Sequence, residues 1–222
     1  MTDVSAPTSA PQALLEGRAI ACRRGRRLLF EGLDIRLEAG SLTWLRGTNG
    51  SGKTSLMRIL AGLSAPAAGT VVCNGTPLAE ARREAHAAIV YIGHANALKD
   101  DLTLGEALGF LARLAGLDQI SERAAAALDR VGLANRRNAA VRTLSQGQRR
   151  RGALARLALD ERARSWILDE PYDSLDTDST RLLSSLIVEQ AARGGAVLLT
   201  SHQSVQLPGL REYDLMAQGV RG

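Results

Sequence analysis

GTNGSGKT, residues 47–54, satisfies the pattern G-x-x-x-x-G-K-[ST] at every position. It follows SLTWLRG (41–47), which reads as a short strand, and it opens GKTSLMRILAGL (52–63), where Leu56, Ile59, Leu60 and Leu63 recur at helical spacing on one face. A strand that runs through glycines into a helix is the setting in which this pattern holds phosphate. Gly47, Gly50 and Gly52 permit positive φ and a close backbone approach. The N–H groups of the loop, including those of Thr48, Asn49 and Ser51, and the positive end of the helix that begins near Ser55, face an anion. Lys53 places a point charge on β- and γ-phosphates, and Thr54 offers its hydroxyl to Mg²⁺.

Two further strand ends carry polar groups. SWILDE (165–170) is an apolar run closing on two carboxylates, and α/β sheets bind their ligands at the carboxyl edge of such strands. Asp169 is a candidate Mg²⁺ ligand and Glu170 a candidate general base for an attacking water. AVLLTSH (196–202) ends at His202, a candidate γ-phosphate contact. ALLEGRAIAC (13–22) and RLLFEGLDIRL (27–37) alternate as half-buried strands do, TVVCNG (70–75) and AAIVYIG (87–93) read as strands, and Tyr213 to Ala217 reads as an edge strand. Residues 95–160 are polar and then helical, with Leu104, Leu108 and Leu111 on one face, and Asp176 to Arg193 reads as a helix. The sum is an α/β protein: a P-loop NTPase core with a mostly parallel sheet, antiparallel strands at the N-terminus and a helical lobe over roughly 95–160. Residues 1–12 are expected to form a loose tail before one domain over 13–222.

Bulk composition narrows the class. Apolar residues make up 45% of the 222-residue chain, enough for a sizeable core, but aromatics only 3%, so that core must be aliphatic. The formal charge is +5, and every basic residue except Lys53 and Lys99 is arginine. No basic run is interleaved with aromatics, so these arginines read as solvated faces rather than a nucleic-acid surface. Cys22 and Cys73 lie far apart in strand-like stretches and are expected to be buried free thiols. No stretch approaches the ~18 apolar residues of a membrane span, and MTDVSAPTSAPQ lacks the features of a secretory signal, so any membrane role is expected to run through a partner.

LSQGQRRRGALARL (144–157) lies between these motifs and resembles the signature of the ABC ATPase family, LSGGQ followed by a basic and apolar helix, with Gln146 where glycine is usual. Ser145, Gly147 and Gln148 stand at a helix N-terminus, a second place for an anion. The resemblance implies that this second site contacts the γ-phosphate held by the other subunit of a head-to-tail homodimer, so that each ATP lies between two chains. PYDSLD (171–176) resembles the family's D-loop, which implies that Ser174 and Asp176 cross the dimer interface. YIGHANALKDDLTLGEAL (91–108) resembles the Q-loop, with His94 in place of glutamine as a candidate catalytic or γ-phosphate-sensing group. The family commonly stacks an aromatic on adenine from the loop between the first two strands; here that loop is CRRGRR (22–27), and Arg23 or Arg24 is the candidate, weaker base selectivity being the alternative. ATP and Mg²⁺ are the implied ligands.

Within the family the chain is most similar to the ATP-binding subunits of the bacterial haem exporter used in cytochrome c maturation. The carrying residues are LLFEGLDIRL (28–37), GHANALKDDLTLGEAL (93–108), the three arginines after LSQGQ, Trp166 before ILDEP, and LTSHQ (199–203). That likeness implies a peripheral ATPase on the cytoplasmic face of the inner membrane, working with integral-membrane subunits that handle the cargo. An ATPase of another small exporter and a soluble ABC ATPase for iron–sulfur cluster assembly remain open on the sequence, with a small-molecule kinase as the weakest reading. Asn96 to Asp101 is the expected docking loop for a membrane partner.

Overall fold

The computed structural model describes residues 13–80 and 88–218; the tail expected over 1–12 lies outside them. Two sheets organise the chain. β1 (Ala13–Arg24) and β2 (Arg27–Glu38) form a long antiparallel hairpin turned at Gly25 and Arg26. β4 (Ala68–Cys73) and the two-residue β5 (Thr76–Pro77) extend it to the order β2-β1-β4-β5. The second sheet is parallel throughout, in the order β6-β7-β8-β3-β9, from β3 (Leu42–Arg46), β6 (Ile89–Ile92), β7 (Ser165–Leu168), β8 (Ala196–Leu199) and β9 (Leu210–Asp214). β7 and β8 are buried along their whole length, as strands covered on both faces must be, which is why they read as unbroken apolar runs.

α1 (Lys53–Leu60) returns from β3 and buries Leu56, Met57, Ile59 and Leu60 between the two sheets. Each such side chain contributes about 1.5–3 kcal/mol of burial. Leu63, expected on the same face, is instead 50% exposed. Gly62 takes φ 71, and Leu63 N–H donates to the Arg58 carbonyl at 2.8 Å, so the helix has already ended in a Schellman turn and Leu63 points outward. The strand expected over 70–75 runs instead over Ala68–Cys73, because Asn74 and Gly75 both take positive φ and make the turn into β5. The edge strand expected at 213–217 is displaced as well: β9 ends at Asp214, whose carboxylate accepts from Met216 N–H, and a four-residue helical turn follows over Leu215–Gln218.

The other face of the parallel sheet is covered by α5 (Thr177–Ala192), through Leu183, Leu186 and Ile187 against Leu168, Val197 and Leu199. A third cluster belongs to the helical lobe: α2 (Leu104–Leu114), α3 (Ile120–Arg130) and α4 (Gln146–Leu154), the last running on into a 3₁₀ turn at Ala155–Ala158. Leu104 and Leu108 are fully buried there against Ala127 and Leu128, and Leu111 is half-buried beside them. Cys22 and Cys73 are buried free thiols, and burial pushes both up from the ordinary thiol range.

Candidate functional site

The carboxyl ends of four adjacent parallel strands open on one cleft. β3 leads into residues 47–52, β6 into Gly93 and His94, β7 into Asp169 and Glu170, and β8 into Thr200 and His202. Register fixes this convergence: Ile92 pairs with Leu168 and Leu168 with Leu199, so the residues just past each strand start level with one another. Asn49, Gly50, Lys53 and Thr54 line the cleft together with His94, Asp169, Glu170 and His202.

The loop after β3 is shaped for an anion. Gly47, Gly50 and Gly52 all have positive φ, and a Cβ on Gly52 would stand 2.9 Å from the Phe30 ring, so no larger residue fits there. Ser51 N–H donates to the Thr48 carbonyl at 3.2 Å and folds the loop back on itself. Lys53 Nζ lies across the loop, donating to the carbonyls of Gly47 at 2.8 Å and Thr48 at 3.3 Å. Ser51 Oγ is buried within the loop with no hydrogen-bond partner among the described residues. Residues and geometry fit a nucleotide phosphate chain.

The acidic pair is held from β8. Thr200 Oγ1 donates to Asp169 Oδ1 at 2.9 Å and accepts from Glu170 N–H at 2.9 Å, one fully buried hydroxyl fixing both residues. Glu170 has φ 50, a left-handed backbone that a non-glycine residue seldom takes. Its Oε2 accepts from His202 N–H at 2.9 Å, and His202 Nε2 stands 3.5 Å from Oε1. Burial pushes the Glu170 carboxyl above its ordinary range; the charge of His202 and its N–H bond oppose this, while Asp173 and Asp169 add to it. A carboxylate held half-desolvated beside a phosphate-binding loop is suited to take a proton from water.

His94 sits on the same cleft, 79% exposed at its side chain, with Nδ1 3.8 Å from Asp173 Oδ2. Arg24, Arg27 and Leu29 form the outer wall beside the loop, whereas Arg23, the other candidate for the base, does not line it. Residues 22–27, read as a loop, are mostly strand, Cys22 to Arg24 closing β1 and Arg27 opening β2, with Cys22 buried and Arg23 and Arg24 both exposed.

Ser145, Gly147 and Gln148 are not part of this cleft. Ser145 is the N-cap of α4: its Oγ accepts from Gln148 N–H at 3.2 Å, and Gln148 Oε1 accepts from Ser145 N–H at 3.0 Å, a closed capping box. Ser145 and Gln146 are exposed, outside the cleft of their own phosphate loop. Gln146 Nε2 reaches Ser174 Oγ at 3.4 Å, joining the signature to the turn after β7. Asp176, expected at an interface, caps α5 by accepting from Ser179 N–H at 2.8 Å. Sequence reasoning singled out neither Thr200 nor Arg150. A threonine closing an apolar strand was the available signal for the first; the second is one arginine among three in a row.

The ABC transporter family profile matches residues 30–173. A cytochrome c biogenesis ATP-binding export protein CcmA from Aromatoleum aromaticum is 45% identical over 190 residues, 86% of this chain and 89% of that protein. The protein of the same name from Pseudomonas aeruginosa is 46% identical over 194 residues, covering 87% and 95%. Among solved structures, an ATP-binding subunit of an ABC transporter superposes with a TM-score of 0.78 at 26% identity, covering 85% of this chain and 79% of that one. A dimeric ATP-binding cassette in a post-hydrolysis state with ADP and Pi shares the fold, with a TM-score of 0.75 at 20% identity over 85% and 88% of the two chains. This chain belongs to the ABC transporter ATP-binding family, among the cytochrome c biogenesis ATP-binding export proteins.

Proposed function

We propose that the chain is the ATP-hydrolysing subunit of an export complex that serves cytochrome c biogenesis by driving haem export or release through separate membrane subunits. The observation that carries the ATPase chemistry is the convergence of the phosphate loop, Asp169, Glu170 and His202 on one cleft. Lys53 and the loop N–H groups bind the β- and γ-phosphates. Thr54 and Asp169 would hold Mg²⁺, which when bound neutralises phosphate charge. Glu170 accepts the proton of the attacking water as the bond from the γ-phosphorus to the ADP oxygen breaks, and the raised proton affinity of this carboxyl suits that role. His202 and His94, which line the same cleft, would contact the γ-phosphate or its water. Arg24 and Arg27 offer guanidinium planes to the base in place of an aromatic ring.

The exposed start of α4 supports a shared site, in which Ser145, Gly147 and Gln148 serve the nucleotide of a second copy in a head-to-tail homodimer. The membrane subunits dock on the lobe, around Asn96 to Asp101. The exposed apolar side chains Leu63 and Leu114, which line a groove between core and lobe, support a partner docked against the lobe. No helix among the described residues is long and apolar enough to cross a membrane, and the reading places the subunit peripherally on the inner membrane's cytoplasmic face. Purification from the membrane fraction is the test. Integral-membrane subunits are expected to co-purify and to stimulate an ATPase activity that Lys53→Ala abolishes. Recovery of an active enzyme with no membrane protein attached overturns the export reading, and full activity in Lys53→Ala overturns the site.

A further inference from the structure

Arg150 lies in α4, five residues beyond Ser145, and is 3% exposed. Burying a guanidinium is costly unless a carboxylate or several acceptors compensate. Among the described residues Arg150 makes no direct ion pair, although the charges of Asp173, Asp169 and Glu170 partly offset its desolvation. Its donors go to neutral oxygens instead: Nη2 to the Glu170 carbonyl at 2.5 Å, and Nη1 to the Gly93 carbonyl at 3.2 Å and Asn96 Oδ1 at 3.4 Å. Its Nε has no hydrogen-bond partner among the described residues. Stability alone gives little reason for such a residue, since an apolar side chain of similar volume would fill the same space without the desolvation penalty. The placement gives a different reason. Two of the acceptors, on Gly93 and Asn96, flank His94, and the third is the carbonyl of Glu170, the residue held at φ 50. Glu170 is thus gripped on both sides of its backbone, its N–H by Thr200 and its carbonyl by Arg150.

We propose that Arg150 is a positioning residue for hydrolysis: it fixes the Glu170 backbone in its left-handed conformation and ties it to the loop of Gly93 and Asn96, so that the general base, the His94 loop and the helix started by Ser145 move as one body. This rests on the assignment of Glu170 as the base. The consequence is specific. Loss of the grip misplaces a carboxylate that needs near-exact placement against water, while the phosphate loop, which Arg150 does not touch, keeps its affinity for nucleotide. Arg150 also sits too far along α4 to contact the second copy's ATP as Ser145 is proposed to do, so its effect is exerted through Glu170.

The test is a double-mutant cycle on the purified chain with MgATP, using Arg150→Met, Arg150→Lys and Glu170→Gln. Arg150→Met keeps the buried volume without the charge; Arg150→Lys keeps the charge without the fork of donors. Both are expected to lower kcat by about ten- to a hundredfold, the loss that misplacement of a catalytic group brings, with KM for ATP changed by no more than about twofold. In the Glu170→Gln background the same substitutions are expected to cost less than about twofold more, because the group that Arg150 positions is already gone. A multiplicative loss in both backgrounds overturns the proposal, and so does a higher KM with unchanged kcat. Should Arg150→Met fail to fold, by circular dichroism, the Arg150→Lys arm decides by the same criteria. Full activity in Glu170→Gln itself sinks the base assignment rather than Arg150, so the two failures are distinguishable.

Discussion

Glu170, the proposed general base, stands in a backbone conformation that few non-glycine residues take. Its φ of 50 carries a strain of about 1–3 kcal/mol, offset by the bonds that Thr200 and Arg150 make to its peptide groups. The carboxyl is 9% exposed as a residue, and burial raises its proton affinity while His202 lowers it. A general base acts only when deprotonated, so the sign of each contribution is readable in a pH profile. The acid limb of kcat/KM for ATP, which reports the free enzyme, is expected to lie above the ordinary glutamate range. His202→Ala removes the nearby positive charge, so the midpoint of that limb should move to higher pH, beyond any fall in the plateau rate. A limb that stays in place, or moves down, separates the titration from Glu170. Asp169 and Glu170 were legible as the polar end of an apolar strand. Thr200 was not, because its role depends on β8 lying beside β7, and strand adjacency is not written in either strand alone.

Helix starts decide much of the local architecture. Thr103 caps α2 in a closed capping box: its Oγ1 accepts from Glu106 N–H at 3.2 Å, and Glu106 Oε2 accepts from Thr103 N–H at 2.8 Å. The Thr103 N–H and the Thr103 hydroxyl, each donating to Glu106 Oε2 at 2.8 Å, hold the Glu106 carboxyl below its ordinary range. The contribution is therefore present above the unfolded-state pKa and lost as pH falls through the lowered folded value. Thr103→Ala is expected to destabilise the chain by about 1 kcal/mol near neutral pH, measured by thermal or urea unfolding, with the difference from wild type shrinking in acid. Equal melting of the two proteins at neutral pH shows that the cap is dispensable. The capping box Ser145–Gln148 is the same local device in α4, but placed where its hydroxyl is exposed at a candidate anion site. The helix ends were less legible than the starts. Leu63 fits the helical period of α1, and only the Schellman turn at Gly62 turns it out to solvent.

Across the whole molecule, the two proposed anion sites are separate within one chain: the loop before α1 opens on the cleft, and the start of α4 does not line it. A shared site in a head-to-tail dimer satisfies both. Mixing a Lys53→Ala chain with a Ser145→Arg chain tests this. Each variant alone is expected to be inactive, since both sites of either homodimer carry a defect. In the mixed dimer one site carries both defects and the other carries neither, so up to about half of the wild-type rate should return where one intact site turns over alone. A covalently linked dimer with a single defective site calibrates that last condition. Activity in the linked dimer but none in the mixture overturns the shared arrangement.

The sequence by itself determined the phosphate loop, the strand ending in Asp169 and Glu170, the signature at Ser145 and the α/β class, because each depends on short-range geometry: glycines that permit positive φ, a helix dipole behind them, and apolar periods of two or 3.6. It placed His94 and His202 at strand ends but not their distances. Only the tertiary structure decided which strands lie side by side, hence that Thr200 bridges Asp169 and Glu170. It also decided that Arg24 rather than Arg23 faces the cleft, and that Arg150, one of three consecutive arginines, is the buried one. The physical reason is the same in each case. Which face of an element is buried, and which backbone groups a side chain reaches, are set by long-range packing, and identical neighbours in sequence then meet different surroundings.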